Sequence, residues 1–269
     1  MEVIQITGLD IPELKIYQER TESRLMHFFE PEPGLFIAET ELVLERAYKA
    51  GYEPFSMLVE TGKQEKVLYM LSQWKGKNCD FPVYTGEEEL LKSIAGFPLT
   101  RGVLCAMRRK KLPLLKQICE GCRRIAVLAD VENPTNVGAI FRNAAALGIE
   151  AVVLTKGCTD PLYRRAIRVS MGTVFQIPWT VAERPEQIRD LGFEMAGFAL
   201  RADTVSIDEI SAKRPKKLAI VLGNEANGIS EELLQCCDHT VKIPMFHGVD
   251  SLNVAAASAI AFWELAADK

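Results

Sequence analysis

Apolar and polar positions divide the chain into two stretches with different rhythms. Up to about residue 107, helical patterns mix with short strands. Glu39–Ala50 repeats apolar residues at helical spacing and closes on Gly51, which predicts an amphipathic helix with a glycine stop. Phe55–Val59 and Gly102–Met107 read as strands, and Leu112–Cys122 as a short helix bridging the two stretches. From about Arg123 strand and helix alternate. Ile125–Ala129 is a buried-strand run, and Asn133-Pro134 predicts an N-cap followed by proline at the first helical position. That helix carries Val137, Ile140, Phe141, Ala144 and Leu147 and stops at Gly148. Further strands are predicted at Ala151–Leu154, Met195–Leu200, Leu218–Leu222 and Thr240–Ile243, with a last helix from about Ser251. Such alternation predicts an α/β fold with a parallel sheet and crossover helices.

Composition narrows the class. A chain of 269 residues has room for two domains, and 48% hydrophobic with 25% charged residues excludes disorder. No apolar run reaches the length of a membrane span, and the first residues lack a signal-peptide pattern. Seven scattered cysteines suit a reducing cytoplasm. The net charge of −4 does not announce a nucleic-acid binder. Basic clusters nevertheless occur at Arg108–Lys111, Arg123-Arg124, Arg164-Arg165 with Arg168, and Lys213-Arg214 with Lys216-Lys217. Each alone reads as solvated surface; together they allow a basic face.

Three polar patches follow apolar strands: Asp130–Arg142, Val221–Ser230 and Ile243–Val254. In a parallel sheet such places line up along the carboxyl edge, where ligands bind, so the three predict one composite site. Asn136 fits either a capping-box position or a site residue. Arg142 lies between Phe141 and small residues, which predicts a part-buried guanidinium with an anionic partner. Gly223-Asn-Glu-Ala-Asn-Gly228 allows close backbone approach to a ligand but is no Walker loop. Asp250 or Ser251 is the expected cap of the last helix, whose free N–H groups could meet a ligand. Cys119-x-x-Cys122 has zinc-like spacing without a matching second pair; Cys236, Cys237 and His239 are the nearest candidates. His27, His239 and His247 come with no nucleophile elbow, and His247 reads as a loop residue.

In this order the three patches resemble the signature motifs of the SpoU (TrmH-like) branch of the SPOUT RNA methyltransferases. The resemblance covers about residues 123–269. It implies a C-terminal SPOUT domain with a parallel sheet and deep trefoil knot, and a smaller N-terminal α/β substrate-binding domain of the ribosomal-protein kind. The implied division is residues 1–107, a linker over 108–122, and residues 123–269. Phe36-Ile-Ala-Glu39 matches Phe-x-x-Glu-Gly of relatives except that Thr40 replaces the glycine, and Ala255 stands where many carry serine.

The resemblance further implies S-adenosylmethionine held by Leu222, Gly223, Ile243, Met245 and Leu252, a homodimer, and no metal. Asn136, Arg142, Glu225, Ser251 and Asn253 match its catalytic or substrate-side positions. The implied reaction is methylation of an RNA ribose 2′-hydroxyl. Arg142 would stabilise the alkoxide or a phosphate, while Glu225, Ser251 and Asn253 orient ribose and donor. Ribosomal RNA is favoured over tRNA because a separate N-terminal domain is present. The alternatives are a tRNA methyltransferase and a catalytically silent RNA-binding or ribosome-assembly protein.

Overall fold

The computed structural model describes residues 2–8, 11–18, 21–74, 80–96, 98–99, 102–213 and 215–266. Its strands are β1 (Glu2–Gln5), β2 (Leu35–Glu39), β3 (Pro54–Glu60), β4 (Pro82–Gly86), β5 (Val103–Arg108), β6 (Arg124–Leu128), β7 (Ala151–Leu154), β8 (Trp179–Val181), β9 (Glu194–Phe198), β10 (Val205–Ser206), β11 (Leu218–Leu222) and β12 (His239–Lys242). Its helices are α1 (Lys15–Gln18), α2 (Glu22–Met26), α3 (Glu41–Lys49), α4 (Gln64–Ser72), α5 (Glu88–Ala95), α6 (Leu115–Cys119), α7 (Pro134–Ala146), α8 (Arg164–Val169), α9 (Gln187–Asp190), α10 (Ile207–Lys213), α11 (Glu231–Gln235) and α12 (Val254–Glu264). No helix among the described residues is long and apolar enough to cross a membrane.

Two compact units result: Met1–Lys111 with Leu162–Phe175, and Leu112–Pro161 with Gln176–Lys269. These limits differ from the expected domains and linker in two places. Ile118, Cys119 and Cys122 sit in one buried cluster with Ile125 and Val127, so α6 is part of the second unit's core rather than a linker. The segment carrying α8 belongs to the first unit, where Arg164 Nη2 lies 2.6 Å from Glu39 Oε1.

The first unit is a mixed sheet in the order β1-β4-β3-β5-β2, antiparallel where β5 meets β3 and β2. Thr40, just after β2, has φ +74° and ψ 143°, a region that glycine occupies without strain.

The second unit is a parallel sheet in the order β10-β12-β9-β11-β6-β7-β8. β6, β7 and β11 are buried along their whole length, as a parallel sheet covered on both faces requires. Alternate residues Ile125, Val127, Ala151, Val153, Ala219 and Val221 share one cluster with Ile118, Ile188 and Leu233 from helices. Towards the other face α12 packs on α7 and on β11. Strands β8 and β10 have three and two residues, too short to stand out as patterns.

Candidate active site

β6 and β11 are neighbours with Leu128 opposite Leu222, so the segments that follow them emerge side by side. β9 and β12 come next in the sheet, and the residues after them complete the walls. They line a pocket of about 760 Å³, inside the size range of small-molecule sites.

The Gly223–Gly228 loop is a tight cradle. Asn224 and Gly228 exchange two backbone hydrogen bonds, at 2.9 and 3.0 Å. A Cβ on Gly223 would stand 2.5 Å from the Gly228 carbonyl carbon, so no larger residue fits without movement. The Asn224 side chain locks the loop from within: its Oδ1 accepts from the amides of Ala226 and Asn227 at 2.8 and 3.0 Å. Its Nδ2 donates to the Asp130 carbonyl at 2.7 Å, tying the second patch to the first. Asp130 itself is fixed by Thr155, whose hydroxyl donates to Asp130 Oδ1 at 2.5 Å and accepts from its amide at 2.8 Å.

Asn136 joins all three patches. It is 6% exposed, its Nδ2 donates to Glu225 Oε1, and its Oδ1 accepts from Asn253 Nδ2 at 3.2 Å. Its side chain is therefore not a helix cap. That role falls to Asn133, which accepts from the Thr135 amide at 2.9 Å, as the Asn-Pro pair predicts. The last helix starts at Val254, later than expected, and its cap is Asn253 rather than Asp250 or Ser251. Asn253 Oδ1 accepts from the Ala255 amide at 3.0 Å while its Nδ2 reaches Asn136, so one amide both starts α12 and closes the site.

Ser251 lines the same pocket, as do Leu222, Gly223, Ile243, Met245 and Leu252. Arg142 does not. It is exposed, lies outside this wall, and has no hydrogen bond or ion pair among the described residues. The expected part-buried guanidinium is corrected by helix geometry. Successive residues on a helix are about 100° apart. Phe141 points inward with no exposed surface, and its neighbour turns to solvent.

Asn143 and Asn224 carry contacts that the sequence does not single out, although Asn224 lies in the second patch and Asn143 directly follows the first. Asn143 Nδ2 donates to the Ala255 carbonyl at 2.8 Å and to Ser258 Oγ at 2.9 Å, stapling α7 to α12. The available signal was a polar side chain in an apolar helix, which needs partners when buried.

The ionisable wall residues are Arg201, Glu225, Glu231, Lys242 and Asp250. Arg201 Nη1 reaches both Glu231 oxygens, at 3.0 and 2.8 Å. That leaves two carboxylates, Glu225 and Asp250, against one cation, Lys242, in the wall, an acidic balance that favours a cationic ligand. Among the described residues, no histidine or cysteine lines the wall. Beside the loop, burial pushes the Cys158 thiol up, and it donates to the Leu128 carbonyl at 3.1 Å.

Cys119 and Cys122 are buried, with burial pushing Cys119 up to about 11, and no metal-holding cluster occurs among the described residues. His239 Nε2 lies 3.4 Å from Glu194 Oε2, and His247 is exposed. Of the basic clusters, Arg214 lies outside the described residues.

Residues 123–263 match the model of the SpoU rRNA Methylase family. The chain is 37% identical over 236 residues to a Mycobacterium bovis protein named as an uncharacterised tRNA/rRNA methyltransferase, covering 86% of this chain and 80% of that one. It is similar in structure to a Sinorhizobium meliloti rRNA methyltransferase solved with AdoMet bound, with a TM-score of 0.80, 25% identity, and 98% and 97% of the two chains covered. A second solved structure, described as an RNA 2′-O ribose methyltransferase, gives a TM-score of 0.72 at 26% identity, over 98% and 97% of the chains. With the family's motifs converging on one pocket, this chain belongs to the SpoU rRNA methylase family and is an RNA methyltransferase.

Proposed function

We propose that the chain transfers the methyl group of S-adenosylmethionine to a ribose 2′-hydroxyl of ribosomal RNA. The observation that carries this is the Glu225–Asn136–Asn253 hydrogen-bond chain beside a glycine cradle. The description of the Sinorhizobium meliloti protein as AdoMet-bound, and of another neighbour as a 2′-O ribose enzyme, support it.

The residues present fit the cofactor. Gly223 lets the loop close on itself, Gly228 in the same wall has open space where a Cβ would stand, the pocket is of suitable volume, and the surplus carboxylate suits a sulfonium charge. Leu222, Gly223, Ile243, Met245 and Leu252 would hold it. When bound, it supplies an electrophilic methyl group on a good leaving group. The chain's own task is to place the hydroxyl. Asn136 fixes Glu225 and Asn253, and with the Ser251 hydroxyl these orient the ribose.

Arg142 sets a condition. A guanidinium about 4 Å from an alkoxide is worth about 1 kcal/mol in water and about 4 kcal/mol at an effective dielectric of 20. Exposed as it is, Arg142 contributes to transfer once something excludes water around it. A second copy of the chain would do so. Helix α12 reads Val-Ala-Ala-Ala-Ser-Ala-Ile-Ala-Phe-Trp-Glu, with Ile260 39% and Trp263 62% exposed, so its outer side is apolar as well. A helix apolar all round belongs in an interior. The reading therefore includes a homodimer, and the family's trefoil knot around the pocket loops.

The test is transfer of labelled methyl from S-adenosylmethionine to unmodified rRNA and tRNA, followed by alkaline hydrolysis. Label in alkali-resistant dinucleotides from rRNA is expected. Label in mononucleotides would move the chemistry to a base. Label in tRNA alone would replace the substrate. Cofactor binding without transfer to rRNA, free or in ribosomal particles, or to tRNA would favour the assembly protein.

A further inference from the structure

The basic run Arg108–Lys111 does not act as one patch. Lys110 Nζ donates to the Ala50 carbonyl at 2.5 Å and lies 4.7 Å from the Tyr52 ring centroid. Lys111 Nζ is 3.2 Å from Glu32 Oε2. Arg108 is held differently. Its guanidinium carbon lies 5.0 Å from the centroids of both Phe29 and Phe55, and it has no hydrogen-bonded or ion-paired side-chain partner among the described residues. The acids at this end of the first unit's sheet already face other groups: Glu30 faces His27 at 3.8 Å, Glu32 faces Lys111, and Glu53 acts on Lys110.

A third ring completes the arrangement. Phe28 packs edge-on against Phe29 at 4.9 Å and against Phe55 at 6.4 Å, yet remains 47% exposed. Two rings thus pin an exposed guanidinium, and a further ring packed on both of them stands half in water. A pinned arginine loses little freedom when it binds, and its planar fork matches a phosphate. An exposed ring next to such a cation is the combination that takes single-stranded nucleic acid, with the base on the ring and the backbone on the cation.

Resting on the reading of the chain as an RNA methyltransferase, we propose that Phe28 and Arg108 form a docking platform for an unpaired RNA nucleotide. The base stacks on Phe28 and a phosphate of the same strand binds Arg108. The platform belongs to the first unit, so it selects RNA by strandedness while the pocket of the second unit carries the chemistry.

The experiment is fluorescence anisotropy of the full chain with a short labelled polyadenylate RNA and with a labelled RNA duplex, alongside thermal melting. Phe28→Leu, which keeps apolar bulk and loses the π face, should weaken single-strand binding about 5- to 100-fold and change duplex binding less than about twofold. Phe28→Tyr should restore it. Arg108→Gln should weaken single-strand binding and lower its salt slope by about one. Single-strand affinity of Phe28→Leu equal to wild type, with or without a lowered Tm, would make the rings a core satellite and overturn the platform. Wild-type protein that binds neither RNA would instead count against the RNA reading itself.

Discussion

The seven-stranded sheet has a pocket at each edge, about 760 Å³ at the carboxyl ends of β9, β11 and β12 and about 820 Å³ at the amino ends of β6 and β11. Volume does not separate them; what their polar groups are doing does. At the amino edge Arg124 and Lys217 are committed to backbone. Arg124 Nε donates to the Leu265 carbonyl at 2.7 Å, its Nη1 to Arg123 at 2.9 Å, and Lys217 Nζ to Leu191 at 3.1 Å. Glu150 accepts the amides of Arg123 and Arg124. Those charges finish strand ends and anchor the end of α12. At the carboxyl edge, Glu225, Asn136 and Asn253 bind one another from three separate segments, while Asp250 and Ser251 make no hydrogen bond or ion pair among the described residues. Polar side chains gathered from distant segments and left partly free are what a ligand needs; cations satisfied by neighbouring carbonyls are what a fold needs.

Three substitutions probe that contrast. Asn136→Ala removes the side chain that bonds both Glu225 and Asn253, and methyl transfer should fall about a hundredfold or more, the scale of an ångström-sized misplacement. Cofactor affinity, measured by calorimetry, should stay within about twofold, because Asn136 lies outside the pocket wall. Gly223→Ala puts a methyl group into the Gly228 carbonyl, an overpacking cost of about 1–3 kcal/mol that should appear as weakened cofactor binding in the same calorimeter. Arg124→Met at the other edge strands the Leu265 carbonyl. It should lower stability by about 1–3 kcal/mol in denaturant melts and leave cofactor affinity and transfer rate per folded molecule unchanged. A loss of cofactor affinity in Arg124→Met would erase the distinction between the edges.

The parts legible in the sequence were those fixed by local pattern. Leu218–Leu222 and Ala151–Leu154 lie where their apolar runs place them, and Asn133-Pro134 starts α7 as its cap chemistry requires. Partners distant in the chain were not legible. Asn136 meets Glu225 and Asn253 across 89 and 117 positions, and nothing local distinguishes that from a helix cap. The exposure of Arg142 is not legible because a buried neighbour says nothing about the adjacent side of a helix. The segment carrying α8 meets the first unit through partners distant in the chain, such as Arg164 and Glu39, 125 positions apart. Thr40 was visible as a departure from a glycine pattern, and its φ of +74° shows why glycine suits that position.

The most direct test of the account is a crystal structure of the protein with S-adenosylhomocysteine. Density for it is expected at the carboxyl edge, against Gly223 and Leu252 and beside the Glu225–Asn136–Asn253 chain. Density in the amino-edge pocket around Lys216, with the carboxyl edge empty, would contradict it.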